Sequence, residues 1–243
     1  MADPETLALY QLGLEEAAEA AETLDADAQT VLVMLRSYGW RAERVMGDFF
    51  SHPKGVLARC HVTKCGRPGV PTYSRPSSRL TCAVCCEPRS PQSATQLRCG
   101  HPFCDDCWGR HVDCQISSGP ECVTSLLHCM EPGCQERMCD DAVRALALPP
   151  GPGGGQPCPG ATTTSGLGNQ SNQNTPTALP SAVFARFIKY SVSHMVSQHP
   201  HLHWCPECSH PEDMRMKKKN TKTISASTRV SQPGVEGGAG GAG

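Results

Sequence analysis

The sequence predicts a small α+β protein, in which three short helices precede a module held together by metal ligands, with disordered linkers and a disordered tail. Aromatic residues make up only 5% of the 243 residues, while Gly and Pro number 23 and 21. A chain of this composition has too few large apolar side chains for one continuous core. Small modules joined by flexible linkers are therefore expected, and they need another source of stability.

Closely spaced cysteine and histidine pairs between positions 82 and 134 indicate that bound metal supplies this stability. The pairs are Cys82 and Cys85, Cys99 and His101, Cys104 and Cys107, and Cys129 and Cys134. Thiolate and imidazole are the donors that zinc prefers, and a structural zinc ion takes four of them in a tetrahedron. These ligands therefore suit two closed Zn²⁺ sites with no open position to activate water. Spacing alone does not say whether the first pair joins the second pair or the third.

The cysteine content and the net charge indicate the compartment of the protein and the classes of partner it binds. The sixteen cysteines could form disulfides, but the N-terminus lacks the basic start and apolar run of a secretory signal. We therefore expect a reducing, cytoplasmic location, and the lysines at 217–219 are compatible with a nuclear one as well. A net charge of −1 and the lack of a long apolar run argue against nucleic acid and membrane as partners.

The segments before the metal module differ in character. Residues 1–27 carry acidic but no basic side chains, and their thin apolar stripe predicts a frayed helix or a solvated acidic tail. Residues 28–62 predict a unit of three short helices. Gly39 separates the first two helices, and Pro53 begins the third. The expected core residues of the first two helices are Val31, Leu32, Met34, Leu35, Val45, Met46, Phe49 and Phe50.

The remaining segments follow in order. Residues 63–80 are expected to be a linker rich in Pro, Gly and Ser, and residues 81–140 form the metal module. Residues 149–180 cannot bury enough apolar surface to fold and predict a disordered insert. Residues 181–210 predict a helix followed by two further ligand candidates, Cys205 and Cys208. Residues 211–243 are expected to be a disordered tail, first basic and then Gly-rich.

Three stretches of the sequence resemble the Ariadne family of RING-between-RING ubiquitin ligases. MLRSYGW at 34–40 and LARCHV at 57–62 are similar to parts of that family's ubiquitin-associated (UBA)-like domain. CAVC at 82–85 and CGHPFCDDCW at 99–108 resemble its first RING, which closes with the pair Cys129 and Cys134. The helix that leads to WCP at 204–206 resembles the entry to its in-between-RING domain.

The resemblance implies a zinc-stabilised RING module preceded by a three-helix UBA-like unit. Its cross-brace places Cys82, Cys85, Cys104 and Cys107 on one zinc and the other four ligands on the second. Cys122 remains a competitor of Cys129 for that second ion. The family's first RING docks a ubiquitin-conjugating enzyme, and Val84 matches the residue that contacts this enzyme, with Trp108 helping to form the surface. The helical unit would recognise a ubiquitin-like modifier on a cullin-RING ligase.

The sequence also departs from the family pattern. Cys205 and Cys208 lie two residues apart, whereas the family spaces this pair by four, and no second RING with its transfer cysteine follows. We therefore expect the front portion of a ligase that accepts ubiquitin from the conjugating enzyme, without a catalytic residue of its own. A fragment, a splice form and an incomplete gene model all fit. The alternative is a non-catalytic zinc-binding adaptor or a truncated competitor of a full-length ligase.

Overall fold

Two structural units are present in the computed structural model, which describes residues 3–147, 181–204 and 211–213. The larger unit ends at Pro200 and the smaller begins at His201. The predicted insert at 149–180, Cys205 and Cys208 lie outside the described residues, as does the tail beyond residue 213. None of the described helices is both long and apolar enough to cross a lipid bilayer.

The larger unit has seven helices and five strands among its described residues. The helices are α1 Pro4–Leu24, α2 Ala28–Ser37, α3 Ala42–Ser51, α4 Pro53–Arg59, α5 Asp105–Ser117, α6 Asp140–Leu146 and α7 Ala182–Gln198. The strands are β1 Tyr73–Ser74, β2 Leu80–Thr81, β3 Pro88–Arg89, β4 Ala94–Leu97 and β5 Pro102–Cys104. The smaller unit contains β6 Leu202–Trp204 paired antiparallel with β7 Pro211–Asp213. The predicted tail therefore begins with a strand.

Helices α2, α3 and α4 lie where the sequence predicts three helices. Gly39 and Trp40 turn the chain between the first two with φ angles of +62° and +58°, and Pro53 is in the first turn of α4. The expected core of α3 is only partly right, since Val45 is buried but Phe50 is 67% exposed. This helix therefore presents an apolar side chain to solvent instead of enclosing it.

Helix α1 occupies most of residues 1–27, for which the sequence predicts a frayed helix or a solvated acidic tail. It spans 21 residues, begins at the N-cap Asp3, and packs against α2 and α7. Its buried face consists of small residues, among them Ala17, Ala20 and Ala21. Small side chains let neighbouring helices approach closely, so a stripe with little hydrophobic bulk is still enough to build a packed interface.

Helix α7 completes the helical layer. The Ser181 hydroxyl accepts a hydrogen bond from the Phe184 amide at 3.2 Å, which caps the helix. The buried side chains Phe187 and Met195 face inward, and the helix contacts both α1 and α5. It therefore joins the N-terminal helices to the metal module.

The described strands of the larger unit form two small antiparallel sheets. Strand β4 lies between β1 and β5, and β2 pairs with β3. Because β1 lies within residues 63–80, the predicted linker contributes a strand to the module. The linker is also anchored directly before β1, where the Thr72 amide donates to Asp141 Oδ2 at 2.8 Å.

Two buried ion pairs fix the helical unit to the metal module. Arg36 of α2 donates to both carboxylate oxygens of Asp140 at the start of α6, at 2.5 and 2.7 Å. Arg98 lies 2.8 Å from Asp27, which also caps α2 by accepting from the Thr30 amide. The expectation of independent modules on flexible linkers is therefore wrong for residues 4–147, because charged groups are buried across the junction.

Candidate metal centres

The first candidate metal centre gathers Cys82, Cys85, Cys104 and Cys107, whose sulfur atoms all lie within 4.8 Å of one another. The first two cysteines follow β2 in a tight turn, in which the Cys86 amide donates to the Cys82 carbonyl at 2.8 Å. Cys104 ends β5 and Cys107 lies in the first turn of α5. A strand end, a turn and a helix start thus bring four thiols together.

The second candidate metal centre gathers Cys99, His101, Cys129 and Cys134, again within 4.8 Å. Gly100 lies between the first two ligands with φ +82°, and Gly133 precedes the last with φ +80°. These left-handed positions favour glycine and turn each pair of side chains toward one point. The structure therefore groups the pairs first with third and second with fourth, which is the interleaved arrangement.

The separations between the candidate ligand atoms fit zinc. Two sulfurs of a tetrahedral zinc site lie about 3.8 Å apart when each Zn–S bond is about 2.3 Å, and a sulfur and an imidazole nitrogen lie about 3.6 Å apart. Cys85 Sγ and Cys104 Sγ are 3.8 Å apart, and Cys129 Sγ and His101 Nδ1 are 3.7 Å apart. The donor types and their spacing therefore suit a closed structural zinc in each centre.

The thiols of each centre have unequal affinities for protons. A hydrogen bond from Cys129 lowers the pKa of Cys99 to about 5. Burial alone would raise the pKa of Cys82, but amide donors of Cys104, Cys85 and Val84 lower it to about 6. The pKa of Cys107 is raised by burial and by the neighbouring Cys104. One thiol of each centre thus loses its proton easily, and its negative charge then disfavours ionisation of the neighbouring thiol. A bound divalent cation would compensate this repulsion between thiolates.

Two predicted partner-binding residues occupy different environments. Val84 lies between two ligands of the first centre and is 53% exposed. Trp108 is fully buried: its indole N–H donates to the Thr95 carbonyl at 2.9 Å, and its ring packs edge-on against Phe103. The prediction that Trp108 helps to form a binding surface is therefore corrected, since this large ring fills the module's interior.

The described cysteines outside the two centres form no disulfides. Cys122, the suggested competitor of Cys129, is buried in the 3-10 turn Pro120–Val123 and belongs to neither centre. Burial raises the pKa of the thiol in Cys60, Cys65, Cys122 and Cys139. These thiols are consequently poor nucleophiles at neutral pH.

Sequence reasoning missed the buried arginines around these centres. Arg98 directly precedes the ligand Cys99, and its side chain lies against Asp27 and Thr30 of the helical unit. Charged residues of this kind look like surface residues in a sequence, and their long-range partners give no periodic signal. Only the adjacency of Arg98 to a predicted ligand could have drawn attention to it.

Comparison with known proteins finds no matching family model, but it does find related proteins. The chain is 31% identical over 120 residues to probable E3 ubiquitin-protein ligase ARI7 of Arabidopsis thaliana, which covers 47% of this chain and 19% of that protein. It is 30% identical over 139 residues to probable E3 ubiquitin-protein ligase ARI8 of the same plant, covering 57% and 24%.

A relative outside plants matches more of the chain. Probable E3 ubiquitin-protein ligase rbrA of Dictyostelium discoideum is 22% identical over 192 residues, which covers 79% of this chain and 30% of that protein. The chain thus spans roughly a fifth to a third of the length of these curated relatives.

Proposed function

The chain is a relative of the Ariadne-type E3 ubiquitin-protein ligases, and on this basis we propose that residues 81–140 form a RING that docks a ubiquitin-conjugating enzyme. In this proposal the docked enzyme carries ubiquitin as a thioester. Ubiquitin passes to a cysteine of a second RING and then to a substrate lysine. The described part of the present chain supplies the docking step.

Zinc has a structural role in this proposal. Cys82, Cys85, Cys104 and Cys107 hold one ion, and Cys99, His101, Cys129 and Cys134 hold the other. When bound, each ion cross-links strand ends, turns and a helix start, and it has no open position for a reacting group. Binding free energies of about 10–16 kcal/mol are typical of structural zinc in small domains, which would dominate the stability of this module.

The exposed side chain of Val84 is the observation that carries the docking proposal. It is 53% exposed although it lies between Cys82 and Cys85, of which Cys82 is fully buried. Its amide also donates to the Cys82 sulfur, so the metal ligand and the apolar side chain are held by the same turn. A rigid turn that presents an apolar group to solvent is suited to contact a protein partner.

Substitution of Val84 by Asp tests this role. We expect Val84→Asp to keep both zinc ions and the melting temperature of the wild type, because the side chain faces solvent. Affinity for a ubiquitin-loaded conjugating enzyme should fall at least tenfold, since a charge would be buried in the interface. Isothermal titration calorimetry measures the affinity, and native mass spectrometry counts the zinc.

Val70 offers a matched control. It is 55% exposed and lies outside the metal-binding turns. Val70→Asp should bind the conjugating enzyme as the wild type does. Equal affinity of Val84→Asp and the wild type would reject Val84 as a contact residue, and equal losses in the two variants would point to a general charge effect.

We propose a second contact for the helical unit, with a ubiquitin-like modifier on a cullin-RING ligase. Phe50 is 67% exposed, and Met46 and Phe49 beside it on α3 are only partly buried. Phe50→Ser should weaken binding to such a modifier and leave the affinity for the conjugating enzyme unchanged. Val84→Asp should do the reverse, so the two variants separate the two surfaces.

The alternative function is a non-catalytic adaptor. It is favoured by Cys60, Cys65, Cys122 and Cys139, the described thiols outside the two centres that are at least partly buried, because burial raises their pKa and makes them unsuited to accept ubiquitin. A single-turnover assay with a loaded conjugating enzyme separates the two. Accelerated loss of ubiquitin from the enzyme supports a ligase, whereas binding without acceleration supports the adaptor.

A further inference from the structure

A cavity of about 60 Å³ lies where α2, α7 and the 3-10 turn Pro120–Val123 meet. Its walls are partly apolar, with Leu127 and Phe187 among them, but Arg36 and Arg137 also line it. Among the residues that the structure describes, no Asp or Glu contributes to the wall. Exposed Thr124 marks the place where the cavity approaches the surface.

The two arginines differ in how their charge is balanced. Arg36 forms a two-pronged ion pair with Asp140, so its charge has a partner. In the part of the chain that the structure describes, Arg137 has no carboxylate within 4.0 Å, and its buried Nη1 has no hydrogen-bond partner. The lining therefore carries one positive charge that no protein group neutralises.

The backbone holds Arg137 in place despite this imbalance. Its amide donates to the His61 carbonyl at 2.8 Å, and the residue pairs with His128 as an isolated β-bridge. Burial and the nearby Arg36 lower the pKa of the Arg137 side chain. Buried donors on charged groups normally have a partner, because leaving them unpaired is unfavourable.

Water alone does not balance this charge. A water needs roughly 10–15 Å³ of such space, so several would fit in this cavity. A neighbouring cavity of about 10 Å³, lined by Arg36, Trp40 and Ser191, has room for one, and all three residues have a buried polar atom without a partner. The smaller cavity thus suits a water, whereas the larger one needs a negative charge.

We propose that the larger cavity binds a small tetrahedral oxyanion, such as inorganic phosphate or sulfate, between Arg137 and Arg36. Guanidinium groups suit this ligand because their planar N–H donors match the spacing of oxyanion oxygens. The ion would neutralise the lining and join α2, α7 and the metal module at one point. This site does not depend on the proposed docking of a conjugating enzyme.

Thermal unfolding of the zinc-loaded full chain tests the site with inorganic phosphate as the probe. We expect phosphate to raise the melting temperature in a saturable manner, by a few degrees, with sulfate acting similarly. Chloride at matched ionic strength should not. In ³¹P NMR the phosphate resonance should broaden when the protein is added.

Arginine variants assign the effect. Arg137→Met should fold, because it removes a half-buried guanidinium whose buried Nη1 has no partner, and it should lose both the stabilisation and the broadening. Arg137→Lys keeps the charge but loses the planar guanidinium donors, so phosphate should raise its melting temperature by less than in the wild type. Arg110→Met, a matched change at an exposed arginine of α5, should respond as the wild type does. The proposal is overturned if phosphate has no effect, if chloride matches it, or if Arg137→Met responds fully.

Discussion

Asp140 connects three helices through one carboxylate. It accepts both Nη donors of Arg36 from α2 and the Tyr10 hydroxyl from α1, the latter at 2.7 Å. Arg36 in turn lies over the Phe187 ring of α7, 5.6 Å from its centre. Removal of one partner would leave a buried charge without compensation, which is more unfavourable than the loss of an exposed ion pair.

Asp140→Asn tests this connection, because the amide would turn a donor group toward the Arg36 donors. We expect the free energy of unfolding to fall by about 3–5 kcal/mol. Asp48→Asn is the matched control, since Asp48 forms a 3.7 Å pair with Arg59 in which both side chains are exposed, and it should change stability by less than about 1 kcal/mol. Urea unfolding at constant zinc measures both. Similar losses in the two variants would mean that the Arg36 pair has no special role.

The same residues show what a sequence can predict at this scale. The eight candidate ligands were identifiable because few roles other than metal binding require cysteine pairs at this spacing. Arg36 and Asp140 were not, because they lie 104 positions apart and each has the appearance of an ordinary surface charge. Both residues matter because they are buried, and the type of a residue alone does not show whether it is buried.

Helix α1 is the element whose packing the sequence did not predict, since its thin apolar stripe indicated a frayed helix or a solvated tail. A packed helix is usually recognised by a stripe of large apolar side chains. On α1, by contrast, alanines form the contact, and Gly13 lies beneath the Trp40 ring. A Cβ atom at Gly13 would lie 3.0 Å from the Trp40 ring and 3.1 Å from the Met195 sulfur. This close approach explains why so thin a stripe binds α1 firmly to its neighbours.

A pair of glycine substitutions tests this packing. At Gly47 of α3, an added methyl group would have no neighbouring atom within 4 Å, so Gly47→Ala should stabilise the protein by about 0.5–1 kcal/mol through helix propensity alone. Gly13→Ala gains the same propensity but must displace Trp40 or Met195, so it should show no net stabilisation. Thermal unfolding compares the two. A Gly13→Ala variant as stable as Gly47→Ala would show that α1 is loosely packed.

At the scale of the whole molecule, the metal centres and the helical unit are joined. Asp27 begins α2 and pairs with Arg98, the residue before the ligand Cys99. The Gly66 amide donates to the same carboxylate at 2.7 Å. Loss of metal from the second centre would therefore also disturb the start of α2, although no ligand lies in that helix.

Zinc removal tests this coupling through hydrogen–deuterium exchange. A chelator should strongly reduce amide protection across residues 81–140, because the ligands that would hold the strand ends, the turns and the start of α5 together would lose their ions. Protection in α2 should fall as well, and added zinc should restore both regions. Full protection of α2 in the zinc-free protein would contradict the coupling, and unchanged protection of residues 81–140 would contradict the metal assignment itself.

The alternating order of ligands along the chain has a consequence for assembly. Each candidate centre draws on two stretches that flank a ligand pair of the other, so closing one centre also positions one ligand pair of the second. Loading of the two ions should therefore be cooperative, and a half-loaded species should be rare during titration. At limiting zinc, such a protein would divide into fully loaded and metal-free molecules instead of sharing the ions evenly between the two centres.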